Sequence, residues 1–447
     1  MTAKKKILIM GSVCNISGYS EHARMFADAF LEDDNFETYI IDLQWSNTTR
    51  SNVYEKKYAE CIERSQLYLR YLQSTNTSMN DGFDCCYQVR PPNEFQRVTD
   101  YDIGVTAALE TVAAPAEWIE KCNLMKEIIV VSEHAKKNLE NAVGDNGEKI
   151  TAPVSVIPFY NNLPAIADRE KFTGYEDVTT TKNFLCVSQV APRKNLLDMV
   201  VNFVEEFKDD EDVGLILKSY IQNNSNIDRF ETSKNIQAFV NSVTKDKKCK
   251  VYLLHGNMTE SEIASLYDNE FIKGYVTTTH GEGFGIPIFN AVCSDIPVIA
   301  PSWSGHLDFL SAPVTNEVSK KTKTKNLFLK VSYLIDKVQK EHIMPGLINE
   351  GAKWAYPDMK SFRKNLRSLA NSRGIHKKDA ELLGSHIRET FTRQNVFQKI
   401  LDSSSNVNSV SNINVEDTNN LAIQAVQSNT VMMNIGNHIK NISEKKQ

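Results

Sequence analysis

Short apolar runs rich in β-branched residues alternate with amphipathic segments along most of the chain. Apolar runs of this length, bounded by polar turns, are typical of strands buried on both faces. The predicted strands are 7–10, 38–43, 103–107, 128–131 and 154–158 in the first half, and 184–187, 214–218, 251–254, 275–278 and 298–300 in the second. Strands that alternate with helices predict parallel sheets covered by helices on both faces.

The segments between these strands carry helical periodicity. The predicted helices are 20–31, 196–207, 233–243, 260–266 and one long amphipathic helix at 378–401, and Ser132 is predicted to cap a further helix. The stretch 161–182 is polar and contains Pro164 and Gly174, so it is predicted to link the two alternations.

The composition changes after residue 402. Residues 403–412 are rich in Ser and Asn, as flexible linkers are, and 420–442 has enough apolar positions for a marginal helix. This tail is either a docking or oligomerisation segment or a poorly ordered end.

Composition narrows the class of protein. A chain of 447 residues with 41% hydrophobic content predicts two domains of comparable size. The apolar runs fall short of the ~20 residues that a membrane helix needs, so no integral membrane contact is expected. The 8 cysteines are scattered without a C-x-x-C, which favours reduced thiols in a cytoplasmic protein. A net charge of -5 does not indicate a nucleic-acid binder.

The most informative motif is His280-Gly-Glu-Gly-Phe-Gly-Ile-Pro, which joins a predicted strand to a helix-compatible run. A strand, glycine turn and helix present free backbone N–H groups to an anion. Gly283 and Gly285 leave room for a ligand to touch the main chain, and Glu282 is the acid of the turn. The alternative is an ordinary glycine-rich turn in which Glu282 caps the helix.

This turn resembles the donor-sugar site of the retaining GT-B glycosyltransferases of family four. The resemblance implies two Rossmann-like domains facing a cleft, with 1–165 binding the acceptor, 166–182 as linker, 183–377 binding the nucleotide sugar, 378–402 returning to the first domain and 403–447 as tail. It implies a hexosyl- or pentosyltransferase that moves a sugar from a nucleoside-diphosphate sugar, UDP-sugar favoured, to a hydroxyl acceptor. No cofactor is implied, and no metal site is expected, since the sequence has no His/Cys cluster with ligand spacing.

A second motif, Val187-Ser-Gln-Val-Ala-Pro-Arg-Lys-Asn, resembles the family's phosphate-binding loop. By this resemblance Lys194 contacts the diphosphate, and Arg193 compensates for a family arginine that Gln189 or Ser188 replaces. The alternative is a solvated basic helix start. Asn290 stands where the family has a second glutamate for the ribose, so an amide is expected to take that role.

Further candidates follow from the same resemblance. Glu110, at the end of the predicted strand 103–107, is a candidate for orienting the acceptor or assisting proton removal, and its alternative role is a helix N-cap. His306, beyond the donor turn, is a candidate for either the cleft or the core. The remaining donor-binding candidates are Gly11, Gly18 and Tyr19 in the loop after the first strand, His255 and Asn257 near the base, and His280, Phe284 and Gly285 in the turn.

The acceptor is the least determined part of the hypothesis. The segments 104–111 and 353–357 look like those of enzymes carried by large tailed bacteriophages, which makes 5-hydroxymethylcytosine in phage DNA one candidate acceptor in the host cytoplasm. Lysine runs at 245–250 and 320–325 favour contact with phosphates, but the acidic first half argues against DNA. Polysaccharide, lipid and small-molecule acceptors stay open, and so does a non-catalytic GT-B module that binds nucleotide sugars.

Overall fold

The computed structural model describes residues 4–404 apart from 46–47, 224, 269 and 317–318. The marginal helix predicted at 420–442 and nearly all of the predicted tail lie outside the described residues.

The first sheet has six strands and lies within residues 5–156. Its strands are β1 (Lys5–Gly11), β2 (Phe36–Asp42), β3 (Cys85–Val89), β4 (Asp102–Thr106), β5 (Glu127–Val130) and β6 (Val154–Val156). The order is β2-β1-β3-β4-β5-β6 and every pairing is parallel. The helices of this part are α1 (Gly18–Leu31), α2 (Asn52–Ser74), α3 (Met79–Gly82), α4 (Trp118–Cys122) and α5 (Glu133–Glu140).

The second sheet also has six parallel strands, in the order β14-β11-β10-β7-β8-β9. The strands of this part are β7 (Lys182–Gln189), β8 (Val213–Tyr220), β9 (Lys250–Leu254), β10 (Ile272–Val276), β11 (Val298–Pro301), β12 (Ser311–Thr315), β13 (Thr322–Asn326), β14 (Leu329–Val331), β15 (Tyr333–Lys337) and β16 (Lys353–Pro357). The helices are α6 (Leu196–Glu206), α7 (Asn226–Thr244), α8 (Glu260–Leu266), α9 (Ile286–Cys293), α10 (Met359–Asn371), α11 (Arg373–Thr390) and α12 (Arg393–Ser403). β12 with β13 and β15 with β16 form two separate two-stranded antiparallel sheets, of which the first is a hairpin.

Burial on both faces explains why the strands read as continuous apolar runs. Cys85 and Cys86 are adjacent on β3 and fully buried, yet they belong to separate apolar clusters because successive side chains point to opposite faces. All eight cysteines are buried free thiols. Within the described ranges, no helix is both long and apolar enough to cross a membrane.

Helix α2 and strand β3 are among the elements that the sequence pattern did not predict. Helix α2 buries Tyr58, Cys61, Ser65, Leu69 and Leu72, which lie three or four residues apart, but its charged residues hide this stripe. The strand β3 is short and contains Gln88, so it did not stand out as an apolar run.

The single long helix predicted at 378–401 is wrong. The structure has α11 and α12 instead, with a break at residues 391–392. Thr392 is extended and its side chain accepts a hydrogen bond from the backbone N–H of Asn395 at 3.2 Å, which caps a new helix. The break lets α12 pack on α1, where Val396, Phe397 and Ile400 join the apolar core of the first sheet.

Candidate active site

Three loops at the carboxyl ends of parallel strands converge between the two sheets. They follow β4 in the first sheet and β7 and β10 in the second, and they carry Glu110, Arg193 with Lys194, and Glu282 respectively. Ligand crevices of open α/β sheets lie at this edge of the strands. The structure therefore places side chains from both domains at the expected position of a ligand site.

These four charged residues form one cluster. The Nζ atom of Lys194 lies 2.7 Å from both carboxylate oxygens of Glu282. Nη1 of Arg193 lies 3.3 Å from Oε2 of Glu282 and 3.2 Å from Oε1 of Glu110, and it donates to the carbonyl of Gly281 at 2.5 Å. The four residues predicted from sequence as catalytic are thus in direct contact.

The alternative roles considered for these residues do not occur. Glu282 does not cap α9, because its carboxylate binds Lys194 and the N-cap position is Gly285. Lys194 is not a solvated helix start, since its side chain is 18% exposed. Glu110 lies in a loop and caps no helix, as α4 begins at Trp118 after Glu117.

The charges of the cluster alter its protonation. Burial alone would raise the pKa of Glu282, but Lys194 and Arg193 outweigh it and lower this pKa to about 2. The pKa of Lys194 is also lowered, since burial and the charge of Arg193 together exceed the attraction of Glu282. Two cations face this one carboxylate at short range, so Glu282 is ionised at neutral pH.

Acid should therefore weaken the fold through Glu282. A carboxyl group with a depressed pKa stabilises the folded state above its unfolded pKa, near 4.5, and loses that contribution as the pH falls toward 2. The stability difference between the wild type and Glu282→Gln should shrink by about 1.4 kcal/mol per pH unit below ~4.5. Urea unfolding at pH 7, 5, 4 and 3.5 measures this, and a difference that stays constant would contradict the ion pairing.

The donor turn lies directly against the first domain. A Cβ atom at Gly281 would come within 2.7 Å of the Cβ of Glu110, and one at Gly283 would lie 3.1 Å from the carbonyl oxygen of Ala107. The hydroxyl of Ser132, the confirmed N-cap of α5, also donates to the carbonyl of Gly283 at 2.6 Å. The space that the sequence suggested for a ligand beside Gly283 is therefore occupied by Ala107.

Ser304 and His306 support the turn that carries Glu282. The backbone N–H of Glu282 donates to Oγ of Ser304 at 2.8 Å, and Oγ lies 3.3 Å from Nδ1 of His306. Nε2 of His306 is 2.7 Å from the carbonyl of Pro301 and must donate to it, so Nδ1 accepts from the Ser304 hydroxyl. His306 is a buried support of the site. Sequence reasoning missed Ser304, which has a φ of 81° that only the folded turn reveals.

Gly305 lets the chain pass this turn, and its substitution should be severe. A Cβ atom there would overlap the carbonyl oxygen of Gly283, which cannot move without shifting the backbone, and would lie 2.7 Å from the Ser132 hydroxyl. We expect Gly305→Ala to lower Tm by several degrees, as clashes with main chain cost ~1–3 kcal/mol. The matched control is Gly374→Ala on α11, where a Cβ meets nothing within 4 Å. Equal thermal melts for the two variants would contradict the described turn.

The side chains of His280 and Phe284 have structural partners. His280 stacks on Trp354 with ring centroids 4.6 Å apart, and its Nδ1 lies 2.7 Å from the carbonyl of Ala355. Phe284 packs against Phe289 and Phe309 in the core. Donor binding by these two residues stays a prediction that concerns mainly their main chain. Gly285, with a φ of 97°, begins α9.

The glycine loop of the first domain reaches the cleft through Gly18 and Tyr19. Gly18 faces Ile286 of α9, whereas a Cβ at Gly11 would meet Ala23 and Val89, so Gly11 serves packing. The hydroxyl of Tyr19 lies 2.9 Å from Oγ1 of Thr106 at the end of β4. Burial raises the pKa of Tyr19 to about 12, so it is a neutral hydrogen-bonding group.

Gln189 of the predicted phosphate-binding loop and the two candidates for the base, His255 and Asn257, do not contact the charged cluster. Gln189 donates to the carbonyl of Ile221 at 2.9 Å, and Nε2 of His255 lies 3.0 Å from Oδ2 of Asp228. Asn257 is exposed. Sequence reasoning missed Lys218, a buried lysine that ends the predicted strand 214–218 and donates to the carbonyl of Gly256 at 2.7 Å.

Comparisons with known proteins bear on the fold of the chain. The sequence matches no protein-family model and no curated protein. A glycosyltransferase from Rickettsia africae has a TM-score of 0.59 at 12% identity, over 91% of this chain and 100% of its own. Sucrose-phosphate synthase from Thermosynechococcus elongatus has a TM-score of 0.58 at 9% identity, over 91% and 100%. Anabaena HepE, in complex with UDP and glucose, has a TM-score of 0.56 at 11% identity, over 90% and 99%.

These likenesses show the fold. The chain has the GT-B architecture, in which two Rossmann-like parallel-sheet domains face each other, as the sequence resemblance implied. Among the described residues, no group of three or more His, Cys, Asp and Glu side chains is placed to hold a metal ion.

Proposed function

We propose that this chain is a glycosyltransferase that moves a sugar from a nucleoside-diphosphate sugar to a hydroxyl acceptor, with retention of the anomeric configuration. The observation that carries the proposal is the cluster of Lys194, Arg193, Glu282 and Glu110 between the two domains. A departing diphosphate needs fixed positive charge at the point where its own charge grows. Lys194 and Arg193 supply two such charges on one short loop.

Each residue of the cluster has a role in this proposal. Lys194 and Arg193 stabilise the leaving diphosphate, and Glu282 orients the sugar through its hydroxyls. Glu110 enters from the first domain, where it orients the acceptor or helps to take its proton. The leaving phosphate receives the acceptor proton in a front-face attack, and the closed cleft keeps out water that would hydrolyse the donor.

UDP is the nucleotide to test first. The HepE structures that share the fold are complexes with UDP and glucose and with UDP-glucose. The chain's own residues for the base, His255 and Asn257, do not discriminate between nucleotides by themselves.

The candidate acceptor 5-hydroxymethylcytosine in phage DNA draws its support from one of the two lysine runs. Residues 245–250 lie at the amino end of β9, on the edge of the sheet opposite the charged cluster. Lys320, Lys321, Lys323 and Lys325 are exposed on or beside the hairpin of β12 and β13, which follows the segment that binds Glu133 of the first domain. The hairpin is the surface that a polyanionic acceptor would meet.

The rival function is a module that binds nucleotide sugars without turnover. It is favoured by Asn290 and by the pairing of both cations with carboxylates already present in the chain. Purified protein is incubated with UDP-, GDP- and ADP-sugars, with and without DNA containing hydroxymethylcytosine, and released nucleoside diphosphate is measured. Release of UDP with a retained anomer on the product supports the transferase, and EDTA is expected to leave it unchanged. Binding of UDP-sugars without any release would support the module instead.

A further inference from the structure

A cavity of about 510 Å³ lies between the two domains and is lined in part by α9, the helix that follows the glycine turn. The first domain lines it with α1, α2 and residues 159–163, and the second lines it with residues 258–263 and the first turns of α9. Asn290 reaches the cavity from α9, eight residues after Glu282. Ile286 and Asn290 are separated by about 6 Å along the helix axis, so the cavity adjoins the donor turn.

Glu21 is the unusual group in this cavity. Its carboxylate accepts no hydrogen bond and forms no ion pair with any residue that the structure describes. Arg24, three residues along α1, directs Nη1 to the carbonyl oxygens of Val13 and Asn15 at 3.0 and 2.8 Å. Burial raises the pKa of Glu21 accordingly. A part-buried carboxylate without a partner costs stability unless a ligand supplies hydrogen-bond donors.

The other two acids of the cavity each have a protein partner. Asp28 binds Lys57 at 2.9 Å and the hydroxyl of Tyr58 at 2.8 Å. Glu260 accepts from the hydroxyl of Tyr54 at 2.9 Å, across the two domains. Glu21 therefore differs from both in having no hydrogen bond or ion pair to a described residue, which leaves all its acceptor sites open to a ligand.

The balance of charge in the cavity selects the ligand's chemistry. Glu21, Asp28 and Glu260 line it, whereas the cations Arg24 and Lys57 are engaged with the protein's own oxygens. An anionic group would be repelled here. Phe159, Met258, Ile263, Ile286 and Phe289 add apolar walls. A neutral group with several hydroxyls on an apolar ring, as in a sugar, fits both features.

We propose that this cavity binds a neutral, hydroxyl-rich ring and that Glu21 of the first domain accepts hydrogen bonds from its hydroxyls, opposite Asn290 of the second. The inference rests on the proposed function in taking the donor as the nearest source of such a ring. The ribose of a nucleoside diphosphate has two adjacent hydroxyls and reaches one helical turn from the diphosphate position. A free acceptor sugar offers the same chemistry.

Calorimetry with UDP, 2′,3′-dideoxy-UDP and glucose tests the proposal in the full-length protein. Glu21→Gln keeps the size of the side chain and removes its charge, so we expect UDP to bind about tenfold more weakly, the loss expected for a hydrogen bond to a charged acceptor. Binding of 2′,3′-dideoxy-UDP should not respond to the same substitution, because the hydroxyls are missing. The matched control is Glu60→Gln on the exposed face of α2, which should change neither affinity.

The outcomes separate the two sources. If Glu21→Gln weakens the binding of UDP but not of 2′,3′-dideoxy-UDP, the ring in the cavity is the ribose. If the substitution leaves UDP affinity unchanged and abolishes glucose binding, the ring is a free sugar. The proposal would be overturned if Glu21→Gln bound UDP as tightly as the wild type does and also bound glucose as tightly as the wild type does. Thermal melting excludes a merely structural role, because removing an unpartnered charge should leave Tm unchanged or higher. Glu21-dependent UDP binding without sugar transfer would refute the proposed function but not this inference.

Discussion

Replacing Lys194 with alanine is expected to lower the turnover of UDP-sugar by roughly 10²–10³-fold, the scale of losing one charge-stabilising group in a transition state. The Nζ atom of Lys194 lies between both oxygens of Glu282, so it is held at the turn that would carry the diphosphate. Its help grows as the glycosidic bond breaks, and kcat should therefore fall more than donor affinity. Steady-state kinetics with varied donor measures the split.

Two controls keep this result interpretable. Lys182→Ala removes an exposed lysine at the start of the same strand that leads to the loop, and it should leave kcat within twofold, since surface substitutions are nearly neutral. Because Lys194→Ala leaves Glu282 buried beside Arg193 alone, its thermal stability must be measured in parallel. A folded Lys194→Ala protein with wild-type turnover would remove the leaving-group role.

Glu282→Gln is expected to separate binding from catalysis. In the unliganded protein Glu282 neutralises Lys194 and contacts Arg193, so the amide should free the charge of Lys194 for the diphosphate, whereas Arg193 keeps its contact with Glu110. UDP should then bind more tightly, by about fivefold to tenfold, on the scale of ~1 kcal/mol for one partly exposed charge contact. Turnover should fall by about 10²-fold, because the sugar loses the charged acceptor that orients its hydroxyls.

The prediction is demanding because UDP affinity should rise while turnover falls in the same variant. Calorimetry with UDP and steady-state kinetics with UDP-sugar are run on the same preparation, with Glu110→Gln as the matched variant on the other side of Arg193. Glu110→Gln should affect turnover without the gain in UDP affinity, since Lys194 stays paired. A parallel loss of UDP binding and turnover in Glu282→Gln would mean that the carboxylate holds the nucleotide and not the sugar.

Much of the fold followed from local patterns. The strands of both sheets other than β3 and β14 coincide within a few residues with the short apolar runs, because a strand buried on both faces needs apolar side chains at every position. Helix α2 was not predicted, because charged residues interrupt the buried apolar stripe in its sequence. The break between α11 and α12 did not follow either, because it depends on α12 packing against α1, far away in sequence.

The charged cluster could be predicted because its residues follow strand ends. Glu110, Lys194 and Glu282 each lie just beyond a strand, and parallel topology brings strand ends to one edge. Glu21 and Ser304 carried no such signal, since Glu21 lies inside a helix and Ser304 acts through a backbone turn with positive φ. Lys218 ended an apolar run predicted as a strand, but in the structure it lies inside β8 with its side chain buried.

By itself, the sequence determined two alternations of strand and helix and the residue types at the strand ends, since these depend on local periodicity and turn chemistry. The tertiary structure alone decided which of these ends face each other across the domains. It paired Lys194 and Arg193 with carboxylates from both domains, and it left Glu21, in a cavity that both domains line, without a hydrogen bond or ion pair to any residue that the structure describes. Contacts between residues more than eighty positions apart depend on how the sheets are packed together, and no local pattern encodes that packing.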